Sequence, residues 1–266
     1  MTQDLPLADW LESVRNIAEQ AGGAIMEIYG RDFAVGYKDD ESPLTEADLA
    51  AHKVIVAGLS QLEPKLPILS EESAELPAET RRSWPAYWLV DPLDGTKEFV
   101  KRNGEFTVNI ALVVGHELKL GVVYAPVLET TYAAAEGVYC RKCSPDGEAD
   151  IQVETKARTP LRVVGSRSHA GEALKGYLAK LGEHELLSMG SSLKLCLVAE
   201  GAADIYPRLG LTSEWDTAAA QCVVEQAGGK VIELNGEPLR YNAKDELLNP
   251  YFLVIADQSR DWLQGL

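Results

Sequence analysis

The sequence predicts a mixed α/β fold, and three features of its hydrophobic pattern lead to that prediction. Apolar residues recur with a helical period over 7–28 and 45–63. The period shortens over 68–135, where the apolar runs are suited to strands. Beyond residue 158, strand-like and helix-like segments alternate, which is typical of an α/β layer with partly parallel strands.

The composition limits the classes of function. The chain has 266 residues, 46% of them hydrophobic and 25% charged, with a formal net charge of −16. These proportions are typical of a globular protein. The negative charge argues against nucleic acids and anionic membranes as partners. A small phosphorylated ligand stays compatible, because a bound cation inverts the local field. We expect a cytoplasmic location, since we find no secretory signal and no apolar run of about 20 residues.

Two amphipathic helices are predicted at the start of the chain. The first spans 7–28 and ends near Gly30. The second begins at Thr45, whose hydroxyl can cap it, and continues to Pro64. The apolar face of the first helix consists of Leu7, Leu11, Val14, Ala18, Ala21, Ile25 and Ile28.

Short strands follow the second helix. Two of them, 68–70 and 87–90, end in acidic residues. The segments 107–114 and 118–124 flank a short turn, which is a hairpin pattern, and 130–135 adds another strand.

A polar, turn-rich stretch at 141–158 is the predicted boundary between two halves of a single unit that spans 1–266. The half over 1–150 carries most of the candidate metal ligands, and the half over 151–266 continues as α/β. The elements predicted in this second half are strands at 161–165, 185–189, 203–206, 230–234 and 251–256, helices at 171–182, 191–200 and 216–227, and a closing helix.

The four cysteines do not form a disulfide framework. Cys140 and Cys143 make a C-x-x-C pattern, but Cys196 and Cys222 supply no matching second pair. Because a polar Ser-Pro-Asp-Gly turn follows at once, we interpret the pair as the end of a strand. A zinc or redox role is the less favoured alternative.

The most informative segment is Asp91-Pro92-Leu93-Asp94-Gly95-Thr96, which follows an apolar strand. The strand delivers Asp91 out of the core, Pro92 bars a normal ladder bond, and Gly95 permits a turn after Asp94. Two carboxylates and the Leu93 carbonyl can then face one point. Hard oxygen ligands that converge in this way are what Mg²⁺ requires. A short helix is expected to begin at Thr96, with free N–H groups suited to a phosphate.

Three other acids stand at the ends of elements. Glu71 follows the strand 68–70, Asp216 lies at the expected N-cap of helix 216–227, and Asp48 lies in the first turn of the second helix. Each is individually explained by capping or by the helix dipole, and a plain Asp-Gly turn explains Asp94. Together they indicate metal-assisted chemistry on a phosphate.

These residues resemble the signatures of the inositol monophosphatase superfamily. The matching segments are Glu71-Glu72, 91–96, Glu214-Trp215-Asp216-Thr217-Ala218-Ala219 and the upstream stretch 38–48. The resemblance implies a layered αβαβα sandwich of the type shared with fructose-1,6-bisphosphatase.

The segments 94–99 and 102–111 are similar to the bacterial 3′(2′),5′-bisphosphate nucleotidase branch of that superfamily. This similarity implies a Mg²⁺-dependent, lithium-sensitive enzyme. It would remove the 3′-phosphate of adenosine 3′,5′-bisphosphate, giving AMP, and would clear a by-product of sulfate activation. The sulfated precursor of that nucleotide is a further implied substrate.

The resemblance also implies a set of metal ligands. Glu71, Asp91 and the Leu93 carbonyl would hold one Mg²⁺, and Asp91, Asp94 and Asp216 would hold a second. Glu71 would also contact a third, weaker ion. We therefore expect two or three Mg²⁺ ions in each active site.

The resemblance assigns catalysis to Asp48, Thr96 and Glu71. Thr96, assisted by Asp48, would orient and deprotonate the attacking water, and the amides of Gly95 and Thr96 would hold the phosphate. The implied substrate contacts are Glu71, Leu93, Asp94, Gly95, Thr96, Ser166, His169, Gly190, Lys194 and Asp216. For the Ser-rich loop and for Lys194, helix capping and an exposed charge are the competing interpretations.

Two alternatives stay open at this point. Another phosphatase of the same superfamily, acting on inositol monophosphate or a sugar phosphate, would keep the fold and the metals. A binding or regulatory protein would keep the metal site and act through a partner, although the acidic surface argues against RNA or a membrane. The sequence is compatible with a monomer or a homodimer. A peripheral position at the cytoplasmic face of the inner membrane is a further expectation.

Overall fold

Two β-sheets and seven α-helices make up the computed structural model, which describes residues 5–31, 43–74, 76–165, 172–264 and 266. The helices in the described residues are α1 (Leu7–Tyr29), α2 (Pro43–Leu59), α3 (Ala78–Arg82), α4 (Thr96–Val100), α5 (Glu172–Leu181), α6 (Leu193–Ala199) and α7 (Glu214–Gln226). Within these ranges, no helix is long and apolar enough to cross a membrane.

The first sheet has seven strands in sequence order. They are β1 (Ile68–Ser70), β2 (Ala86–Asp94), β3 (Thr107–Val114), β4 (Glu117–Ala125), β5 (Thr130–Ala135), β6 (Tyr139–Ser144) and β7 (Gly147–Asp150). β1 runs parallel to β2, and every later pair is antiparallel. β2 is buried almost throughout because helices cover both faces of the sheet, so its apolar residues do not alternate with polar ones.

The second sheet has five strands in the order β11-β12-β10-β8-β9. They are β8 (Leu161–Gly165), β9 (His184–Ser188), β10 (Ile205–Arg208), β11 (Lys230–Glu233) and β12 (Phe252–Ile255). β8 pairs in parallel with β9 and β10, whereas β12 is antiparallel to β10 and β11. The predicted partly parallel layer is therefore confirmed.

Three buried clusters define the layers. Helices α1 and α2 cover the outer face of the first sheet, where Ile25 and Ile55 pack with Trp88. Helices α6 and α7 lie between the sheets, and Val223 of α7 belongs to a core that joins both sheets. On the far face of the second sheet, Tyr177 of α5 packs in a third cluster. This succession is the expected αβαβα sandwich.

Three local predictions were wrong. Helix α2 begins at Pro43 and ends at Leu59, so Thr45 lies inside the helix and does not cap it. No helix closes the described chain. Instead, Asp257 accepts a hydrogen bond from the Ser259 amide at 2.9 Å, and Asp261 accepts one from the Leu263 amide at 3.1 Å. Such local side-chain bonds to the backbone compete with helix formation.

The third correction concerns the start of α7. The N-cap is Ser213, and Asp216 stands three residues later as the second member of a capping box. The Ser213 amide donates to Asp216 Oδ2 at 2.9 Å. Asp216 is therefore in the first turn of the helix and not at its cap, and this bond fixes the side chain near the helix start.

Candidate active site

Three carboxylates meet where β2 ends and α7 begins. Asp91, Asp94 and Asp216 each offer an oxygen, and these oxygens all lie within 4.8 Å of one another. The family resemblance implied that Asp216 would meet Asp91 and Asp94, which lie more than a hundred positions earlier in the chain. Among the described residues this cluster is the one group of three or more such side chains close enough to hold a metal ion.

An irregularity in β2 places the first two acids. The strand pairs with β3 up to Asp91 opposite Asn109, shifts register across Pro92, and resumes with Asp94 opposite Thr107. The expectation that Asp91 leaves the core was wrong. It is 1% exposed, because the strand continues past the irregularity to Asp94. The Leu93 amide donates to Asp91 Oδ1 at 3.0 Å, which fixes that carboxylate.

Burial and mutual repulsion raise the proton affinity of this cluster. Burial first, then the charge of Asp94, raises the pKa of Asp91 well above its ordinary value. The same two causes raise the pKa of Asp216 to about 7. A positive charge among such clustered acids would favour their ionised forms. The site therefore fits a divalent metal with oxygen ligands.

Glu71 and Asp48 belong to the same electrostatic group. Glu71 directly follows β1, and desolvation of its carboxyl group, followed by the charge of Asp94, raises its pKa to about 6. Asp48 on α2 is 8% exposed, and its pKa rises to about 8 because of burial and then the charges of Glu72 and Glu71. An acid with this pKa can exchange a proton near neutral pH.

Helix α4 starts beside the acids, as predicted. Gly95 precedes it with φ of 97°, a left-handed conformation that favours glycine. A Cβ added there would lie 3.1 Å from the Glu105 carbonyl oxygen. Thr96 is exposed at the first position of the helix, so its hydroxyl is accessible to a substrate. In the described part of the chain, no hydrogen bond joins Thr96 to Asp48, so their predicted cooperation stays a prediction.

The loop before α6 closes the other side of the site. Ser192 is 1% exposed, and its backbone amide donates to Asp94 Oδ2 at 2.6 Å. Sequence reasoning missed Ser192, because no local pattern distinguishes it from a helix-capping serine. The predicted substrate residue Gly190 lies two positions before Ser192, and its amide donates to Glu105 Oε2 at 2.8 Å. A Cβ on Gly190 would lie 2.8 Å from the backbone carbonyl oxygen of Glu105, so the close packing requires glycine.

Three basic residues, Lys97, Lys194 and Arg208, line a cleft of about 140 Å³ with Asp94 and Asp216. Lys194 is 9% exposed and donates to the Ser191 carbonyl oxygen at 2.6 Å, so the interpretation of Lys194 as an exposed charge is wrong. Burial lowers the pKa of Lys194. Arg208, which sequence reasoning missed, has a buried Nε atom without a hydrogen-bond partner in the described residues.

Some predicted residues lie outside the described ranges. They include Ser166, His169 and the first part of the upstream motif, 38–42. Cys140 and Cys143 are free thiols on β6, which ends at Ser144 before a turn, as expected.

The αβαβα sandwich and the acidic cluster between its layers are features of a phosphatase family with a metal site. The chain belongs to the inositol monophosphatase family, whose family model matches residues 7–261. The resemblance found in the sequence is thereby confirmed at the level of the family.

Several relatives are similar over most of their length. The proteins named 3′(2′),5′-bisphosphate nucleotidase CysQ from Salmonella typhimurium and Escherichia coli strain K12 are each 53% identical over 248 residues, which is 92% of this chain and 98% of theirs. The crystal structure of CysQ from Bacteroides thetaiotaomicron is 42% identical, covers 95% of this chain and 99% of its own, and superposes with a TM-score of 0.87.

A more distant structure shares the fold alone. The inositol monophosphatase from Zymomonas mobilis is 20% identical, covers 98% of both chains and gives a TM-score of 0.80.

Proposed function

We propose that this protein is a 3′(2′),5′-bisphosphate nucleotidase that removes the 3′-phosphate of adenosine 3′,5′-bisphosphate and releases AMP. The activity named for the relatives at 53% identity supports this assignment. The sulfated precursor of this nucleotide is a second proposed substrate. A role in sulfate assimilation and a cytoplasmic location, with peripheral association at the inner membrane, accompany the proposal.

One observation supports a bisphosphate over a monophosphate as the substrate. Lys194 and Arg208 line the cleft that Asp94 and Asp216 also line, and Nε of Arg208 is buried with no hydrogen-bond partner among the described residues. An unpaired buried donor is costly, and a phosphate oxygen would satisfy it. A second phosphate on the same substrate can contact Lys194 and Arg208.

We assign the divalent metal as Mg²⁺, because the proposed donor set consists of carboxylate and carbonyl oxygens. Glu71, Asp91 and the Leu93 carbonyl would hold one ion, and Asp91, Asp94 and Asp216 a second, with Glu71 available to a third. Bound Mg²⁺ supplies positive charge that favours ionisation of water and offsets the charge on the departing oxygen. Inhibition by Li⁺ is part of this proposal.

The chain itself orients the reactants. The amides of Gly95 and Thr96 hold the phosphate, and the Thr96 hydroxyl orients the water, whose proton passes towards Asp48. The water oxygen forms a bond to phosphorus while the bond from phosphorus to the ribose 3′ oxygen breaks. The electron pair of that bond stays on the 3′ oxygen, which then takes a proton. Ser166, His169, Gly190 and Lys194 are assigned to the nucleotide.

Phosphate release from adenosine 3′,5′-bisphosphate and from inositol 1-phosphate, measured side by side with Mg²⁺, tests the assignment. We expect kcat/KM for the nucleotide to be higher by about a hundredfold or more. Chelation should abolish release, and added Li⁺ should reduce it. The reverse preference would identify an inositol monophosphatase and would remove the nucleotide contacts. No release from either ester would favour a binding protein.

A further inference from the structure

One serine hydroxyl joins two of the acidic residues. Ser192 Oγ lies 2.9 Å from Asp94 Oδ2 and 2.7 Å from the carbonyl oxygen of Asp216. The Ser192 amide donates to the same Asp94 oxygen at 2.6 Å. Ser192 is separated from Asp94 by 98 positions and from Asp216 by 24. It therefore links the end of β2, in the first sheet, to the start of α7.

Asn109 determines where the serine proton points. The Asn109 Nδ2 atom donates to Ser192 Oγ at 2.8 Å, from a position on β3 opposite Asp91. A hydroxyl has one proton to donate and lone pairs to accept with. Since Oγ accepts from Asn109, its own proton is available to Asp94 or to the Asp216 carbonyl. Both side chains are 1% exposed, so bulk water does not compete for these bonds.

We propose that Ser192, oriented by Asn109, is a positioning residue that prepares Asp94 and Asp216 to bind a divalent cation. The Ser192 amide donates to Oδ2 of Asp94, and when the hydroxyl donates to the same oxygen the side chain is held in one orientation with its second oxygen available to the cation. When the hydroxyl donates instead to the Asp216 carbonyl, it holds the start of α7 against β2. This inference deepens the proposed function, because it rests on those acids holding Mg²⁺.

A positioning role for Ser192 and a purely structural role predict different effects on Mg²⁺ affinity. Outer hydrogen bonds that orient metal ligands typically contribute about 10–100-fold to metal affinity. A buried hydroxyl that only stabilises the fold changes the free energy of unfolding and leaves metal affinity unaltered. Mg²⁺ binding to the chelator-treated full-length protein, measured by calorimetry without nucleotide, separates the two roles.

The variants are Ser192→Ala, Asn109→Ala and the double substitution. We expect Ser192→Ala to raise the Kd for Mg²⁺ by about 10–100-fold. Asn109→Ala should raise it less, and the double variant should match Ser192→Ala, because Asn109 acts through the serine. Ser192→Cys, which keeps a small side chain with a weak donor, should fall between the parent and Ser192→Ala, and it replaces the alanine variant if that variant does not fold.

Thr131→Val is the matched control. Thr131 is buried on β5, and its hydroxyl donates to Glu19 Oε1 at 3.0 Å, so valine removes a buried hydroxyl at constant shape. This control should unfold at lower temperature in chelator and bind Mg²⁺ like the parent.

Specific results would overturn the proposal. A Ser192→Ala protein that is folded in chelator and binds Mg²⁺ as tightly as the parent excludes the positioning role. Additive effects in the double variant exclude the part assigned to Asn109. A parent that binds no Mg²⁺ overturns this proposal and the metal assignment together. A parent that binds Mg²⁺ and shows the serine effect, but does not hydrolyse the bisphosphate, contradicts the proposed substrate alone.

Discussion

Lys244 Nζ lies 3.0 Å from Oε1 of Glu214, a carboxylate with no exposed surface that stands two residues before Asp216. The other oxygen of Glu214 accepts a hydrogen bond from the Asn242 amide at 2.8 Å. The Asn242 side-chain amide in turn donates to the carbonyl oxygen of buried Arg81 at 2.7 Å. The first residue of α7 is thus anchored to the loop around 242–245, and the position of Asp216 depends on that anchor.

Removal of this anchor should cost stability. We expect Glu214→Ala to lower the free energy of unfolding by about 2–4 kcal/mol, because it leaves buried donors unpaired. Urea unfolding monitored by circular dichroism measures the loss. Asp245→Asn is the control, since its ion pair with Arg82 is exposed and should change stability by less than about 0.5 kcal/mol. Equal losses in the two variants would contradict the role of the anchor.

Neutralising one of the acids proposed to bind the metal should lower activity and raise the stability of the metal-free protein. We expect Asp91→Asn to lower turnover on the order of 10³-fold or more, because part of the metal clamp is lost. In chelator the same variant should unfold at a higher temperature than the parent, because a buried, repelled carboxylate is removed. Turnover and the unfolding temperature, each measured with Mg²⁺ and with chelator, test the expected loss of activity and the expected gain in stability. Retention of most of the activity would contradict the metal assignment.

The acids also predict how the metal-free protein responds to pH. Folding raises the pKa of Glu71 to about 6, of Asp216 to about 7 and of Asp48 to about 8. The folded state therefore binds more protons than the unfolded state between the unfolded values near 4 and these raised values, so stability falls as pH rises through that window. The unfolding temperature in chelator should drop from pH 5 to 8, and Mg²⁺ should reduce the drop. An unfolding temperature that rises from pH 5 to 8 in chelator would contradict this expectation.

Local sequence patterns singled out the acidic residues of this site. Other residues of the site are recognisable only from their tertiary contacts. Acids at element ends, such as Asp94 and Asp216, can be found in the sequence because strands and caps have recognisable signals. Ser192 and Arg208 could not be found, since a serine before a helix and a basic residue at the end of a strand are ordinary in isolation. Their roles depend on contacts with residues far along the chain, such as the 98 positions that separate Ser192 from Asp94.

The boundaries of helices were the least secure part of the sequence prediction. Thr45 and Asp216 were each placed at a cap, and each lies inside its helix. Both errors have one cause. Threonine and aspartate are favourable at several positions near a helix start, and the true N-cap of α7, Ser213, is a further candidate only three residues away.

Thr96 should affect water activation and leave metal binding intact. We expect Thr96→Ala to lower turnover by about 10²-fold or more, because the hydroxyl that orients the water is lost. The Kd for Mg²⁺ should stay close to that of the parent, since Thr96 belongs to α4 and is not one of the three clustered acids. Thr96→Ser retains the hydroxyl and should keep most of the activity. A large loss of Mg²⁺ affinity in Thr96→Ala would instead place this residue among the metal ligands.

Arg208 should contribute to recognition of the second phosphate. Its buried Nε, which has no hydrogen-bond partner within the described ranges, and its place in the cleft with Asp94 predict a charge-assisted bond to a phosphate oxygen that is not hydrolysed. Loss of a bond worth about 1.5–3 kcal/mol in Arg208→Ala should lower kcat/KM for adenosine 3′,5′-bisphosphate about 10–100-fold. Adenosine 3′-monophosphate lacks the second phosphate, so its kcat/KM should hardly change. Equal losses with both nucleotides would show that Arg208 acts on the fold or on the reacting phosphate, because only the bisphosphate carries the group that this arginine is proposed to bind.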